Sequence, residues 1–207
     1  MARVHELQHP VAAYHLAQLR SKDTPPEQFR RLVGRLATLL AYQATSDVAT
    51  VATTVQTPMA ETEGAEISEL IGLVPILRAG LGMVPPLLEL LPNSQVWHLG
   101  MYRDEETAQP VEYYSKLAGH QAVDLGLVLD PMLATGGSAI AALEALQAWG
   151  VGRCKLLSII AAPEGVAAVS EAFPDAEIHV CAIDQRLNDV NFIVPGLGDA
   201  GDRIFNT

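Results

Sequence analysis

The chain has 207 residues, of which 49% are hydrophobic and 18% charged, and its formal net charge is −11 at pH 7. This length and composition predict one ordinary globular domain, residues 1–207, rather than a disordered chain. The acidity argues against a nucleic-acid partner, because phosphate backbones are bound mainly by clustered Lys and Arg. Apolar runs fall far short of the ~20 residues of a membrane span, and the polar N-terminus is unlike a signal peptide, so we expect a cytoplasmic protein without membrane contact.

The first elements of the chain are predicted to be helical. Residues 10–20 form an amphipathic stretch, and a second helix covers residues 24 to about 45. Its opening TPPE matches a capping box, with Thr24 as the N-cap and the Glu27 side chain bonding back to the N-cap N–H. Residues 48–57, rich in Thr and Val, predict a strand or an extended arm. These helices and the arm supply more apolar surface than a small sheet needs, so we expect a homodimer or a larger homo-oligomer.

From residue 70 onward, aliphatic runs alternate with Ala- and Leu-rich helical segments, which is typical of parallel β-α units. We therefore predict an α/β fold with a central, mainly parallel sheet flanked by helices. The predicted strands cover residues 70–77, 96–102, 125–129, 155–161 and 177–183, and a helix is expected around residues 164–172. The polar segment from Asp104 to His120 contains a β-like stretch, residues 111–116, and is long enough to form a flap.

Basic residues are sparse in the middle of the chain. Between Leu36 and Gly152 there are only Arg78, Arg103 and Lys116. The two arginines follow strand-like runs, and an arginine at a strand end points into the crevice where open α/β sheets bind ligands. We interpret both as candidate anion ligands, with a solvated surface arginine as the alternative for each.

The segment LGLVLDPMLATGGSAIAALEAL, residues 125–146, combines a buried strand, an acid, a short loop and a helix. Residues 134–138 can turn backbone N–H groups and two hydroxyls toward a phosphate, at the positive end of the helix dipole. Asp130 can accept hydrogen bonds from neutral hydroxyls such as those of a ribose, so a sugar phosphate fits both halves. An ATPase P-loop would need a lysine here. The alternative, a plain β-α turn capped by Ser138, does not explain why an acid, Asp130, stands at the end of the strand.

The terminal PGLGDAGDRIFNT contains Gly196, Gly198 and Gly201 in the order G-x-G-x-x-G. A dinucleotide-binding turn opens a helix and precedes an acid about 20 residues on. Because only six residues follow Gly201, we expect no following helix and no nicotinamide cofactor. From the residues alone, a closing turn is the favoured alternative.

The cysteines and histidines show no catalytic spacing. Cys154 and Cys181 each stand beside aliphatic residues, without metal-type spacing, and are expected to be buried reduced thiols. His98, His120 and His179 have no acid at a meaningful spacing and are expected in core or surface positions.

Four segments together resemble the uracil phosphoribosyltransferase family, in that family's order. They are PILRAGLGM (75–83), DPMLATGGS (130–138), AAPEG (161–165) and PGLGDAGD (195–202). The resemblance spans nearly the whole chain. It implies a phosphoribosyltransferase-type fold with N-terminal helices, a β-arm or flap and a C-terminal hood at about residues 184–207. It also implies transfer of 5-phosphoribosyl from 5-phospho-α-D-ribose 1-diphosphate (PRPP) to N1 of uracil, giving UMP and diphosphate.

The resemblance also assigns site residues. The PRPP-binding set is Arg78, Arg103, Asp130, Pro131, Met132, Leu133, Ala134, Thr135, Gly136, Gly137, Ser138 and Asp199. Within it, residues 134–138 hold the 5-phosphate, Asp130 holds the ribose hydroxyls, and Arg78 and Arg103 stabilise the departing diphosphate.

For the base, the resemblance implies that uracil pairs with main-chain groups around Ile193, Gly198 and Ala200. Asp199 lies near the reacting centre, with Asp202 as a less favoured neighbour. Mg²⁺ is expected to arrive bound to PRPP, since the sequence has a proline after Asp130 where many phosphoribosyltransferases have a second acid. In the family the Arg78-Ala79 turn often contains a cis peptide. Some relatives are activated by GTP, for which no segment here identifies a site.

Two other interpretations remain open. A noncatalytic regulator that senses nucleotide and binds RNA is disfavoured by the acidity of the chain. An enzyme for a purine or for orotate keeps the chemistry but changes the base. Orotate would need an extra cation near the hood, where Arg186 and Arg203 are available, although the terminal motif favours uracil.

Overall fold

The computed structural model describes residues 2–103, 110–114, 117 and 119–207. Six α-helices are assigned in this part of the chain: α1 (Pro10–Arg20), α2 (Pro26–Ala44), α3 (Val84–Leu90), α4 (Gly137–Trp149), α5 (Pro163–Ala172) and α6 (Ala200–Phe205). A 3₁₀ turn covers Ala79–Met83. The strands are β1 (Arg3–Glu6), β2 (Thr50–Gln56), β3 (Glu61–Ile67), β4 (Ile71–Pro75), β5 (Gln95–Val96), β6 (Gly100–Arg103), β7 (Pro110–Tyr114), β8 (Leu125–Leu129), β9 (Met132–Leu133), β10 (Arg153–Ala161), β11 (Glu177–Ile183), β12 (Arg186–Leu187) and β13 (Ile193–Val194).

The central sheet is parallel, with strand order β1-β11-β10-β8-β4-β5, and β9 pairs with the end of β10. This confirms the predicted α/β class. The predicted strand at residues 96–102 is wrong in part, because only its start belongs to this sheet. Its end forms β6, which pairs with β7 in a separate antiparallel hairpin. The chain therefore leaves the sheet between β5 and β6.

Helices cover both faces of the sheet. Alternate residues of β8 face opposite sides: Leu127 and Leu129 pack into the apolar layer shared with α1, α2, α3 and α6, whereas Val128 packs against α4 and α5. This alternation follows from the two-residue period of a strand. Because both faces are covered, the central strands are mainly apolar, which is why most of them could be predicted.

The start of α2 differs from the predicted capping box. Pro25 is the N-cap and makes no side-chain capping bond, and the helix begins at Pro26. The Thr24 hydroxyl instead donates to the carbonyl oxygen of Gln18 at 2.6 Å. The hydroxyl thus ties the turn to the last part of α1 rather than to α2. The predicted extents of both helices are otherwise confirmed.

The predicted arm is a two-stranded antiparallel hairpin of β2 and β3. Nearly all of its side chains are exposed, including Val51, Val55 and Ile67. Of the predicted flap, β7, Leu117 and residues 119–120 are described, and the remaining positions, Lys116 among them, lie outside the described residues.

Both cysteines are free, as predicted, and Cys181 is buried, but Cys154 is only half-buried, so its predicted burial was wrong. Burial raises the pKa of the Cys154 thiol to about 11 and that of Cys181 to about 12. Both thiols are therefore protonated near neutral pH and are poor nucleophiles. In the described part of the chain, no helix is long and apolar enough to cross a membrane.

Candidate active site

A cleft opens at the carboxyl end of β8, between the loop that precedes α4 and the hairpin of β12 and β13. Its cavity volume is about 250 Å³, a little below the ~300 Å³ at which the range of typical small-molecule sites begins. The lining residues are Asp130, Met132, Leu133, Ala134, Thr135, Gly136, Gly137, Ser138, Ala139, Val190, Asn191, Phe192, Ile193 and Asp199.

The loop between β9 and α4 forms one wall of the cleft. The backbone N–H of Asp130 donates to Leu157 of the neighbouring strand at 3.2 Å, and one of its carboxylate oxygens accepts from the Met132 N–H at 3.3 Å. Gly136, with φ of +86°, is the N-cap of α4, so Ser138 is not the cap. The N–H groups of the first helical turn have no partner within the helix and can bind an anion. The wall therefore has the geometry predicted for a phosphate site.

Helix α5 holds this loop in place through Gly165. A methyl group on Gly165 would lie 2.9 Å from the carbonyl oxygen of Leu133 and would overlap that of Ala134. Only a residue without a side chain allows this approach. The start of α5 therefore acts as a template for the loop backbone, which gives a physical role to the AAPEG segment.

The same helix also holds the opposite wall. Glu164 accepts a hydrogen bond from the N–H of Leu187 in β12 at 2.9 Å. This bond is the main reason why the pKa of the Glu164 carboxyl is lowered. The adjacent residues Gly165 and Glu164 of α5 thus contact the loop before α4 and the β12–β13 hairpin, respectively.

The hairpin contributes side chains that the sequence analysis missed. Asn188 accepts hydrogen bonds from the N–H groups of Val190 and Phe192, at 3.1 and 2.8 Å, and so shapes the turn. Val190 is 68% exposed and Phe192 44% exposed, and both line the cleft with Asn191. Apolar residues within the otherwise polar stretch QRLNDVNF were the signal that could have indicated them.

The terminal glycine-rich segment leads into α6, so the expectation that no helix follows was wrong. Asp199 is its N-cap and accepts from the N–H of Asp202 at 2.9 Å. Arg30 donates to the carbonyl oxygen of Ile204 at the other end, at 2.9 Å. These side chains stabilise a helix of only six residues. The preceding strand, β13, is short and antiparallel, so the segment still lacks the geometry of a dinucleotide turn.

A buried ion pair anchors this segment to α1. Arg20 at the end of α1 forms a two-pronged salt bridge with Asp184, which directly follows β11, and also donates to the carbonyl oxygen of Gly196 at 2.8 Å. The same Asp184 carboxylate accepts from the Gly196 N–H at 2.9 Å. Neither residue has a role predicted from the sequence, because their separation of 164 positions leaves no local signal.

Arg203 is engaged elsewhere, which corrects the suggestion that it is available to an orotate carboxylate. It donates to the carbonyl oxygens of Leu19 at 2.9 Å and Leu197 at 2.7 Å, and its guanidinium lies 4.2 Å from the centre of the Phe29 ring. Burial lowers its pKa. Arg186 remains on the exposed side of β12, bonded to the carbonyl of Leu187 at 3.3 Å.

Of the two suspected arginines, the structure describes the side chain of Arg78. It donates to Asp202 at 3.0 Å and to the hydroxyl of Thr207 at 3.3 Å, and it is more than half exposed. A non-proline cis peptide joins Leu77 and Arg78, one bond before the Arg78-Ala79 bond where it was expected. The backbone of Arg103 ends β6, and its side chain lies outside the described part.

The structure thus brings most of the predicted residues into one cleft. Those in its lining are Asp130, Met132, Leu133, Ala134, Thr135, Gly136, Gly137, Ser138, Ile193 and Asp199. Among the described residues, Pro131, Arg78, Gly198 and Ala200 are outside that lining. Asp130 and Asp199 are its two carboxylates, and no group of three metal-ligating side chains is found there in the described ranges.

Comparisons with known proteins agree with this geometry. The family model for uracil phosphoribosyltransferase matches residues 6–207. A curated uracil phosphoribosyltransferase of Roseiflexus castenholzii is 56% identical, and one of Symbiobacterium thermophilum is 51% identical, each over 100% of both chains. The solved structure of the AQ2163 protein from Aquifex aeolicus superposes with a TM-score of 0.91 at 38% identity, covering 98% of this chain and 97% of that one. A hypoxanthine phosphoribosyltransferase from Staphylococcus aureus, at 14% identity and a TM-score of 0.52, shares the fold over 75% of this chain and 74% of its own.

Proposed function

The chain belongs to the uracil phosphoribosyltransferase family, and from that premise we propose how its residues carry out the reaction. The enzyme is a pentosyltransferase that transfers 5-phosphoribosyl from PRPP to N1 of uracil, giving UMP and diphosphate for pyrimidine salvage. The observation that carries the assignment of residues is the single cleft in which a phosphate loop, an acid and an apolar hairpin face one another. We take residues 1–207 as one domain, with a hood at about residues 184–207.

PRPP binds along the loop wall. The 5-phosphate lies on the backbone N–H groups and hydroxyls of residues 134–138, where the dipole of α4 favours negative charge. Asp130 accepts hydrogen bonds from the ribose hydroxyls. Its carboxylate precedes β9 and the helix N-terminus follows β9 on the same wall of the cleft, so one ligand with a phosphate and a diol fits both. The backbone of Pro131, Met132 and Leu133 spans the distance between these groups.

Charge separates during the chemical step and has to be stabilised by the site. As the C1–O bond of PRPP breaks, negative charge grows on the diphosphate and positive charge on the sugar. We assign Arg78 and Arg103 to the diphosphate, because preorganised cations stabilise developing negative charge. Mg²⁺ bound to PRPP would supply further Lewis-acid stabilisation of the same oxygens. Asp199, held in the cleft by its capping bond to α6, faces the developing positive charge.

Uracil occupies the hood side of the cleft. Its edge presents the N3–H donor between two carbonyl acceptors, and we assign the complementary main-chain groups to Ile193, Gly198 and Ala200. Ile193 and Asp199 line the cleft, and Phe192 and Val190 offer apolar surface to the flat face of a base. Cytosine would leave polar groups unpaired, which discriminates strongly.

Three further features belong to this proposal. We propose a homodimer or larger homo-oligomer, supported by the exposed side chains of Tyr14 and Tyr42 and by the projecting β2–β3 hairpin. A cytoplasmic location is supported by the two free thiols. Activation by GTP stays a prediction, which a kinetic titration with GTP tests.

Base selectivity tests the function directly. Purified protein is incubated with Mg²⁺ and PRPP, together with uracil, cytosine, hypoxanthine or orotate in parallel, and nucleotide product is measured by chromatography. We expect UMP from uracil and a kcat/KM at least about 100-fold lower for each other base, because they mismatch the donor and acceptor pattern. Failure to form UMP would reject the assignment, and efficient turnover of orotate would favour that alternative.

Removing Arg103 is expected to slow the chemical step. Arg103→Ala should lower kcat about 100-fold, the usual cost of removing one group that stabilises transition-state charge. Uracil binding should change little, because the diphosphate and the base occupy different parts of the site. Steady-state kinetics with both substrates measures this, and Arg31→Ala, which breaks an exposed pair with Glu27 on α2, is the matched control. Wild-type kinetics in Arg103→Ala would contradict the assignment.

A further inference from the structure

Asn191 contributes a side-chain amide to the hairpin wall of the cleft. The residue lies between β12 and β13, is exposed, and lines the cleft together with the loop before α4. Within the part of the chain that the structure describes, its side chain makes no hydrogen bond. The amide group is therefore available to a molecule bound in the cleft.

The backbone at Asn191 is held without help from its side chain. The N–H of Asn191 donates to the carbonyl oxygen of Asn188 at 2.9 Å, and the N–H of Asn188 donates to the carbonyl oxygen of Phe192 at 2.8 Å. The Asn188 side chain accepts from the N–H groups of Val190 and Phe192. Asn188 thus builds the turn, and the Asn191 amide adds no hydrogen bond to it.

The conformation of Asn191 suits glycine better than asparagine. Its φ is +61°, in the left-handed region. Asparagine tolerates this region better than most residues do, but glycine enters it at no steric cost. A side chain kept in a sparsely populated conformation within a cleft indicates a functional constraint. Because glycine would lack only the side chain, that constraint lies in the amide group.

The amide is chemically distinct from the other polar side chains of the cleft. Those of the described lining are Asp130, Thr135, Ser138, Asn191 and Asp199. The two carboxylates only accept hydrogen bonds when ionised, and the two hydroxyls belong to the loop. Among these lining residues, Asn191 alone has side-chain N–H donors, and it lies on the wall opposite the loop.

A phosphate on the loop can take a donor from this second wall. A phosphate monoester has three oxygens that accept strong hydrogen bonds. The N-terminus of α4 approaches it from one side, and the described lining contains no Lys or Arg. An N–H donor on the facing wall therefore satisfies an oxygen that the loop leaves to solvent. The ribose hydroxyls and uracil already have proposed partners, in Asp130 and in main-chain groups.

We propose that the side-chain amide of Asn191 donates a hydrogen bond to the 5-phosphate of PRPP, and to that of the product UMP, from the hairpin side of the cleft. This inference rests on the proposed function, because it takes a 5-phosphoribosyl compound as the ligand. The phosphate then lies between two sets of donors, one on the loop and one on the hairpin. Asn191 is accordingly a binding residue for the sugar phosphate and not for the base.

Two substitutions separate the amide from the backbone conformation. Asn191→Gly removes the amide and accepts the positive φ, whereas Asn191→Asp keeps the shape and replaces the N–H donors with a negative charge. Asn191→Gly should raise KM for PRPP and the inhibition constant of UMP about 10-fold, the usual effect of losing one hydrogen bond to a charged group. Asn191→Asp should raise both by more than about 30-fold, because its carboxylate repels the phosphate.

Two ligands and a direct titration show where the contact is lost. KM for uracil should stay at the wild-type value, and uridine, which lacks the phosphate, should inhibit the wild type and Asn191→Gly equally. Calorimetric titration of each enzyme with PRPP in the absence of a base should show the same loss of affinity. Because this titration needs no turnover, it tests the contact even if the wild type acts on a base other than uracil.

A second asparagine controls for the backbone exchange. Asn206, the C-cap of α6, has φ of +60° and is outside the cleft lining. Asn191→Gly and Asn206→Gly should both keep a Tm close to that of the wild type, since glycine accepts this φ in each place. Unchanged PRPP affinity in both Asn191 variants would overturn the proposal. So would a rise in KM for uracil without one for PRPP.

Discussion

Replacing Asp184 with alanine should destabilise the enzyme by about 3–5 kcal/mol, the cost of breaking a buried ion pair from one side. The substitution leaves the Arg20 guanidinium and the Gly196 N–H without their acceptor in a largely buried position. For a chain of this length, that loss corresponds to a fall in Tm of roughly 10 °C. Thermal unfolding followed by circular dichroism measures it.

The same variant should also lose activity toward uracil more than toward PRPP. Asp184 and Arg20 hold the start of the terminal segment, which carries the proposed base-binding groups, whereas the phosphate loop is held by other contacts. We therefore expect KM for uracil to rise more than KM for PRPP. Glu27→Gln is the control, because it disturbs an exposed pair worth less than about 1 kcal/mol. If the Asp184→Ala enzyme had the Tm of the wild type, this carboxylate would not hold the terminal segment to α1.

A methyl group at Gly165 should damage the phosphate site specifically. In Gly165→Ala the new atom would press on the carbonyl oxygens of Leu133 and Ala134, which are backbone atoms and cannot rotate away. Displacing the loop by about 1 Å costs on the order of 100-fold in rate, because phosphate donors must be well placed. We expect kcat/KM for PRPP to fall by about that factor, measured in steady-state assays at saturating uracil.

A second glycine provides the matched control. Gly152, just before β10, has nothing within 4 Å of the position that a methyl group would take. Gly152→Ala should therefore keep wild-type kinetics. If Gly165→Ala kept the wild-type kcat/KM for PRPP, the contact between α5 and the loop would have no functional role.

The sequence predicted the buried part of the fold well. The bounds of β8 and β11 match their predicted ranges: β8, covered on both faces, is an uninterrupted apolar run, and β11 is mainly aliphatic although it contains Glu177 and His179. The loop before α4 could be predicted to line a cleft for a related reason, because its acid, glycines and hydroxyls lie close together in the chain.

Features that depend on long-range partners could not be predicted. Strand β1 is polar and mostly exposed, and only its pairing with β11 makes it a strand. The Arg20–Asp184 pair and the role of Arg203 arise from contacts between distant segments. Helix α6 is too short to show a period and is held by its cap and by Arg30. In each case tertiary contacts outweighed the local pattern.

The ion pair between Arg78 and Asp202 has a consequence for how the proposed diphosphate site is used. Because Asp202 already accepts a hydrogen bond from Arg78, an anion that binds this guanidinium competes with the Asp202 carboxylate. A singly charged anion gains little from that competition, whereas a diphosphate brings several negative charges against one. Under the role proposed for Arg78, the Asp202 carboxylate therefore favours multivalent anions over chloride or acetate at this position.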